Sequence, residues 1–179
     1  MFLLDTNIVS ELSRKKPNRE LLEWITHVRE PLAISFSAVL EIQRGIENVS
    51  THAPEKASGL RAWLSDILES DIIFLPMDAE TARTYAVMTM VPALEFLWAP
   101  NPKAKRPKPG QDLAIAATAV RYGALLATAN PSDFVRINDV FPLPGIYDPR
   151  TSTWHTASAE GDAPLASNRN ERIQKSAVA

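Results

Sequence analysis

Four acidic residues stand where short apolar runs of this chain give way to turn or helix signals. Asp5 ends the run at residues 1–4, and Glu41 falls in the first turn or so of the helix after a second run. Asp112 begins an Ala-rich helical stretch, and Asp133 follows a fourth run, with Asn130 just before it. If the runs are strands of one parallel sheet, all four acids lie along the same sheet edge. Two carboxylates ~4 Å apart repel by roughly 4 kcal/mol at an effective dielectric near 20. A converging set therefore needs a cation or bound protons. All-oxygen ligands select a hard divalent ion, Mg²⁺ or Mn²⁺. Such an ion polarises a phosphodiester, lowers the pKa of a bound water and stabilises the leaving oxygen. Singly, each acid also has an ordinary use: Asp5 and Asp112 as helix caps, Asp133 in a turn, Glu41 in solvent. At ~100° per residue Glu41 lies roughly 120° from the centre of the Val39, Ile42, Ile46 and Val49 stripe, at the flank of the buried face.

Other chemistries find little support. The three histidines, His27, His52 and His155, are scattered and give no zinc triad. There is no cysteine, hence no disulfide or thiolate metal site, which suits a reducing cytoplasm. No glycine-rich phosphate loop or Gly-x-Ser-x-Gly elbow is present. A haloacid-dehalogenase-type phosphatase would place a second Asp two residues after the first, where this chain has Asn7.

The elements that must position the acids can be read from periodicity. Short apolar runs at residues 1–4, 32–36, 72–75 and 124–128 read as buried strands, and 140–149 as a last apolar stretch. Between them, Asn18 caps a helix carrying Leu21, Ile25 and Val28, and Ser37 is the expected cap of the helix through about Asn48. Leu60, Trp63, Leu64, Ile67 and Leu68 form another helical stripe. Asp78 caps a further helix, and Gly123 stops the one that starts at Asp112. Strands alternating with helices, each strand apolar throughout, predict an α/β domain with a mainly parallel sheet covered on both faces. Such folds bind ligands at the carboxyl ends of the strands. The 179 residues, 45% hydrophobic and 22% charged, suffice for one domain with a real core.

Four segments in order, FLLDTNIVSEL, AVLEIQRGI, QDLAIAATAVRYG and LLATANPSDF, make the chain resemble the PIN-domain endoribonucleases of the VapC toxin type, over residues 1–148. The resemblance implies a three-layer α/β/α domain that gathers acids around Mg²⁺ or Mn²⁺ and cuts RNA. It implies Asp5 and Asp112 as principal metal ligands, Glu41 completing the cluster and positioning the water, and Asp133 as the fourth acid. Thr6 and Asn130 would be supporting polar groups, and Asn7 would hold the Asp5 loop in shape. It also implies a VapB-like antitoxin and a homodimer. An Arg from that partner would match the acidic pocket. Residues 19–29 and 55–69, with Trp24 and Trp63, are candidate partner surfaces, although core packing is the simpler role for Trp63.

Two stretches exceed the family pattern. Residues 92–111 form a Pro-rich insertion whose Lys103, Lys105, Arg106 and Lys108, beside Phe96 and Trp98, could grip RNA. Residues 150–179 read as a flexible polar tail after a domain spanning 1–149. No signal peptide or membrane-length apolar run is expected, which points to the cytoplasm. A PIN-type nuclease of routine RNA processing, and a non-catalytic RNA-binding domain, are the alternatives.

Overall fold

The computed structural model describes residues 1–100, 103 and 110–156. Six strands form one sheet in the order β3-β2-β1-β4-β5-β6. They are β1 (Phe2–Leu4), β2 (Leu32–Ser35), β3 (Ile73–Leu75), β4 (Leu125–Ala127), β5 (Ile146–Asp148) and β6 (Thr153–Thr156). The first five are mutually parallel, and β6 turns back antiparallel on β5.

Alternation along β1 divides the core in two. Phe2 and Leu4 face a cluster shared with Leu32 and Ile34, covered by α1 (Thr6–Leu12), α2 (Arg19–His27), α3 (Phe36–Ser50) and α4 (Pro54–Leu68). Leu3 faces the opposite cluster with Ala33, Leu126 and Ile146, covered by α5 (Ala79–Thr89), α6 (Asp112–Tyr122) and α7 (Pro131–Asn138). The α/β architecture with a mainly parallel, two-sided sheet is as expected.

Local chemistry sets the helix ends. Asn18 accepts from the Leu21 N–H at 2.8 Å, and Asp78 accepts from Thr81 N–H and Oγ1 at 2.8 Å each. Gly123 closes α6 in the left-handed conformation at φ 60°, where a side chain would be strained. The cap of α3 is Ser35, accepting from Ala38 N–H at 3.2 Å, and the expected Ser37 is buried inside the helix. Strand β2 passes into α3 without a loop, so its last residue doubles as the cap. Glu41 consequently sits in the second turn, about half a turn deeper than expected.

The stretch expected to be an irregular insertion begins as a 3-10 helix, Pro92–Leu97. At three residues per turn Leu94 and Leu97 share a side, and both are buried in the second core. The stretch returns through Gly110, where a Cβ would overlap the Leu97 carbonyl oxygen. Of its four basic residues Lys105, Arg106 and Lys108 lie outside the described residues, while Lys103 is exposed in a turn.

The boundary expected at Pro149 does not hold. Residues 150–156 complete the sheet: β6 pairs with β5, and the Trp154 ring packs 4.9 Å from Tyr147 and 6.1 Å from Phe2. One aromatic and a β-turn suffice to dock an edge strand, a signal too sparse to show in a window of polar residues. The rest of the predicted tail, 157–179, lies outside the described residues.

Candidate active site

The parallel strands end together, and the side chains at those ends meet. Asp5 follows β1 directly and occupies the cap position of α1, yet its side chain makes no capping bond. The carboxyl is instead turned into the protein, with the residue only 3% exposed. Its Oδ2 accepts from Thr128 Oγ1 at 2.7 Å and from Asn7 Nδ2 at 2.5 Å. Burial, partly offset by the Thr128 and Asn7 bonds and by the Thr6 N–H, and reinforced by the Glu41 charge, raises the Asp5 pKa from 3.8 to about 6. Glu41, half-buried on α3, is thus close enough to repel Asp5.

Asn7 ties two loops together. While Nδ2 donates to Asp5, Oδ1 accepts the Ala129 N–H at 2.9 Å, joining the turn after β1 to the turn after β4. The Thr128 hydroxyl also accepts from Asn130 N–H at 3.0 Å. Asn130 then donates from Nδ2 to Asp133 Oδ2 at 2.8 Å, and Ser132 Oγ donates to Asn130 Oδ1 at 3.0 Å. Asp133, expected in a loop, belongs to the first turn of α7, where a helix N-terminus favours negative charge. Asp112 is the first residue of α6, half-buried, at the start of a helix buried from Leu113 to Ala119.

Three of the four acids are thereby placed in two groups, Asp5 with Glu41 and Asp133 with Asn130, while Asp112 heads α6. Among the described residues no three acidic or histidine side chains stand at metal-ligating spacing. The donor chemistry still fits a hard cation. Asp5 is a desolvated carboxyl beside a second acid, and the neighbouring Thr6 Oγ1 is buried without a hydrogen-bond partner among the described residues. Mg²⁺ commonly takes only one or two carboxylates and keeps several waters, so Asp5 with one further acid of this edge would suffice.

Two features of this edge escaped sequence reading. Thr128, fully buried, is a direct partner of Asp5. Asp148 and Arg150 form a second layer. Burial pushes the Asp148 carboxyl up, but Arg150, through Nη2 at 2.9 Å, Nε at 3.2 Å and its backbone N–H at 2.9 Å, holds it below the usual range. Arg150 Nη2 also donates to the Ala129 carbonyl. Both sides of residue 129 are thereby fixed, the N–H by Asn7 and the C=O by Arg150. An Arg set in a polar segment carries no periodic signal, so nothing in the sequence marked it.

Arg150→Ala should leave a buried carboxylate unpaired. Breaking a fully buried ion pair costs about 3–5 kcal/mol. The Arg150 side chain is 37% exposed, so roughly 2–3 kcal/mol is expected, read by urea unfolding at pH 7. Adding Asp148→Asn should restore part of the loss. An unchanged midpoint in the single variant would show that the pair holds nothing.

Comparison with known proteins places this geometry in a family. The PIN domain profile matches residues 2–140. The chain is 31% identical over 141 residues to VapC ribonuclease Y4jK of Sinorhizobium fredii, covering 75% of this chain and 90% of that protein. It is 32% identical over 135 residues to plasmid stability protein StbB of Pseudomonas syringae pv. tomato, covering 75% and 91%. Among solved structures, FitAcB from Neisseria gonorrhoeae superposes with a TM-score of 0.61 at 25% identity, covering 83% of this chain and 98% of that one. VapBC-1 from nontypeable Haemophilus influenzae shares the fold, with a TM-score of 0.55 at 23% identity over 83% and 97% of the chains. The chain belongs to the PIN domain family. The matched stretch ends before Asp148, Arg150 and β6.

Proposed function

We propose that this protein is a divalent-metal-dependent endoribonuclease of the VapC toxin type. The observation that carries this reading is the Asp5 carboxyl, buried at the strand ends and raised to about 6 by burial and by Glu41. Burying a carboxyl beside another acid is costly unless a cation offsets it. The family membership and the similarity to a protein named VapC ribonuclease support the same conclusion.

In this reading Asp5, with Asp112, holds Mg²⁺ or Mn²⁺, and Thr128 and Asn7 aim the Asp5 carboxylate. Such an ion supplies Lewis-acid activation of the phosphodiester and of the attacking water. Glu41 would complete the cluster and help position that water. Asp133, held by Asn130, adds negative charge at the edge and completes the four acids. An inhibitory antitoxin of the VapB type would set an Arg against this cluster, a pairing favoured by the bidentate fit of guanidinium to carboxylate. The resemblance to VapC-type toxins, with 31% identity to a protein named VapC ribonuclease, supports such a partner, and a toxin homodimer in the cytoplasm completes the proposal.

The test is cleavage of a structured RNA by purified protein with Mg²⁺, Mn²⁺ or excess chelator. Cutting should require the metal. Undiminished cutting in chelator would overturn the assignment.

The basic residues of the insertion belong to the same reading. Changing Lys103, Lys105, Arg106 and Lys108 together to Ala should weaken RNA binding and flatten its salt dependence, by up to about 0.7 in log–log slope per lost phosphate contact on a single strand. A slope equal to the wild type's would assign these side chains to solvent.

A further inference from the structure

A second site lies on the face of the sheet covered by α2. A cavity of about 540 Å³ opens between α2 and the β5–β6 hairpin, within the roughly 300–1,000 Å³ range of small-ligand pockets. None of Asp5, Glu41, Asp112 or Asp133 lines it.

Its base is Phe2 and Tyr147, whose ring centroids are 5.8 Å apart. Trp24 of α2 packs on this base at 5.1 Å from Phe2 and 5.8 Å from Tyr147. Trp154 of β6 packs on the same base at 6.1 and 4.9 Å. Both indoles contact the shared base and both line the cavity. Trp154 remains 39% exposed at the mouth.

Charge completes the description. Glu20, Glu23 and Glu30 line the cavity together with Arg29 and His27. Glu23 is engaged by Arg19 at 2.8 Å and Arg19 also feels the Glu20 charge, so three carboxylates stand against Arg19 and Arg29 around the rim. No Lys or Arg among the described residues stacks over any of the four rings; the two arginine–aromatic contacts present involve Tyr122 and Phe96.

From these observations we propose that the cavity binds a guanidinium group, inserted between Trp24 and Trp154 with Glu20 and Glu30 at its edge. Aromatic faces carry negative potential and attract cations, while carboxylates at the rim repel anions. A guanidinium is planar, weakly hydrated and stacks on indole, so it suits a slot between rings better than a compact ammonium does. The group arrives either as a small free guanidine compound or as an arginine side chain of a polypeptide, and both present the same chemistry to the cavity.

The test follows the indole N–H signals of the intact ¹⁵N-labelled protein, which has four tryptophans. The probes are N-acetyl-arginine methylamide, its uncharged isostere N-acetyl-citrulline methylamide, agmatine, and a capped Gly-Arg-Gly peptide. Saturable shifts at Trp24 and Trp154, with Trp63 and Trp98 unmoved, are expected from the arginine compound. Citrulline should bind about tenfold more weakly, the size of one cation–π contact. Glu20→Gln/Glu30→Gln, which changes only surface carboxylates, should weaken arginine but not citrulline, and Trp154→Ala should remove the response. Tighter binding of agmatine than of the peptide would identify a free ligand, and the reverse order a polypeptide side chain. Equal binding of arginine and citrulline, or shifts that never saturate, would overturn the proposal. Asp5→Asn should leave every one of these results unchanged, which keeps this inference separate from the nuclease reading.

Discussion

Asp5→Asn is expected to abolish RNA cleavage and, at the same time, to make the metal-free protein more stable at pH 8. The two effects have one cause. The Asp5 pKa is raised from 3.8 to about 6, so the folded state holds this proton more tightly than the unfolded chain does. Stability contributed by the protonated form is complete below about pH 4 and is lost as pH rises towards 6 and beyond. A shift of about two units corresponds to roughly 3 kcal/mol of penalty on the ionised form. Asn carries no charge and escapes it, so the variant's gain should be largest above pH 6 and vanish near pH 4. Added Mn²⁺ should raise the melting temperature of the wild type, because a ligand that binds only the folded state stabilises it, and should have little effect on the variant. A variant less stable than wild type at pH 8, or a wild type indifferent to Mn²⁺, would remove the ground for a metal at this carboxyl.

The second large effect is expected in cells. Induction of the wild-type chain alone should arrest growth, whereas Asp5→Asn and co-expression with a cognate antitoxin should not. An enzyme that cuts cellular RNA damages its host unless a partner covers the site. An acidic cluster is well suited to such cover by an arginine. Growth arrest as strong with Asp5→Asn as with wild type would end the toxin account. Arrest by the wild type that no partner relieves would leave a nuclease without that mode of control.

Much of the fold was legible because buried parallel strands and amphipathic helices write themselves in different periods. Residues 1–4 and 32–36 read as strands and are found at β1 and β2, and Asn18, Asp78 and Gly123 mark the helix ends they were expected to mark. Misreadings came where one residue serves two elements or where a single contact decides. Ser35 ends a strand and caps a helix, which moved Glu41 about half a turn deeper. Leu94 and Leu97 follow a period of three, too short a repeat to stand out among prolines. Trp154 docks β6, and Arg150 ties Asp148 to residue 129, both from within polar sequence. The candidate acids were visible as types at strand ends, but the dependence of Asp5 on Thr128 joins residues 123 apart and has no local trace.

If the proposed nuclease activity holds, that separation bears on when during synthesis the site can form. β1 lies between β2 and β4, and the bond from Thr128 to Asp5 is made only when β4 has paired with β1. A nascent chain that has β1, β2 and their helices can build the face around α1 to α4. It still lacks the strand that aims Asp5, the helix that brings Asp112 and the Arg150 that fixes residue 129. Non-local pairing is also slow relative to local helix formation. Truncated products of interrupted synthesis would therefore carry the first two acids but not a finished site, and a growing chain would stay harmless to the RNA around it until nearly its last strand was made.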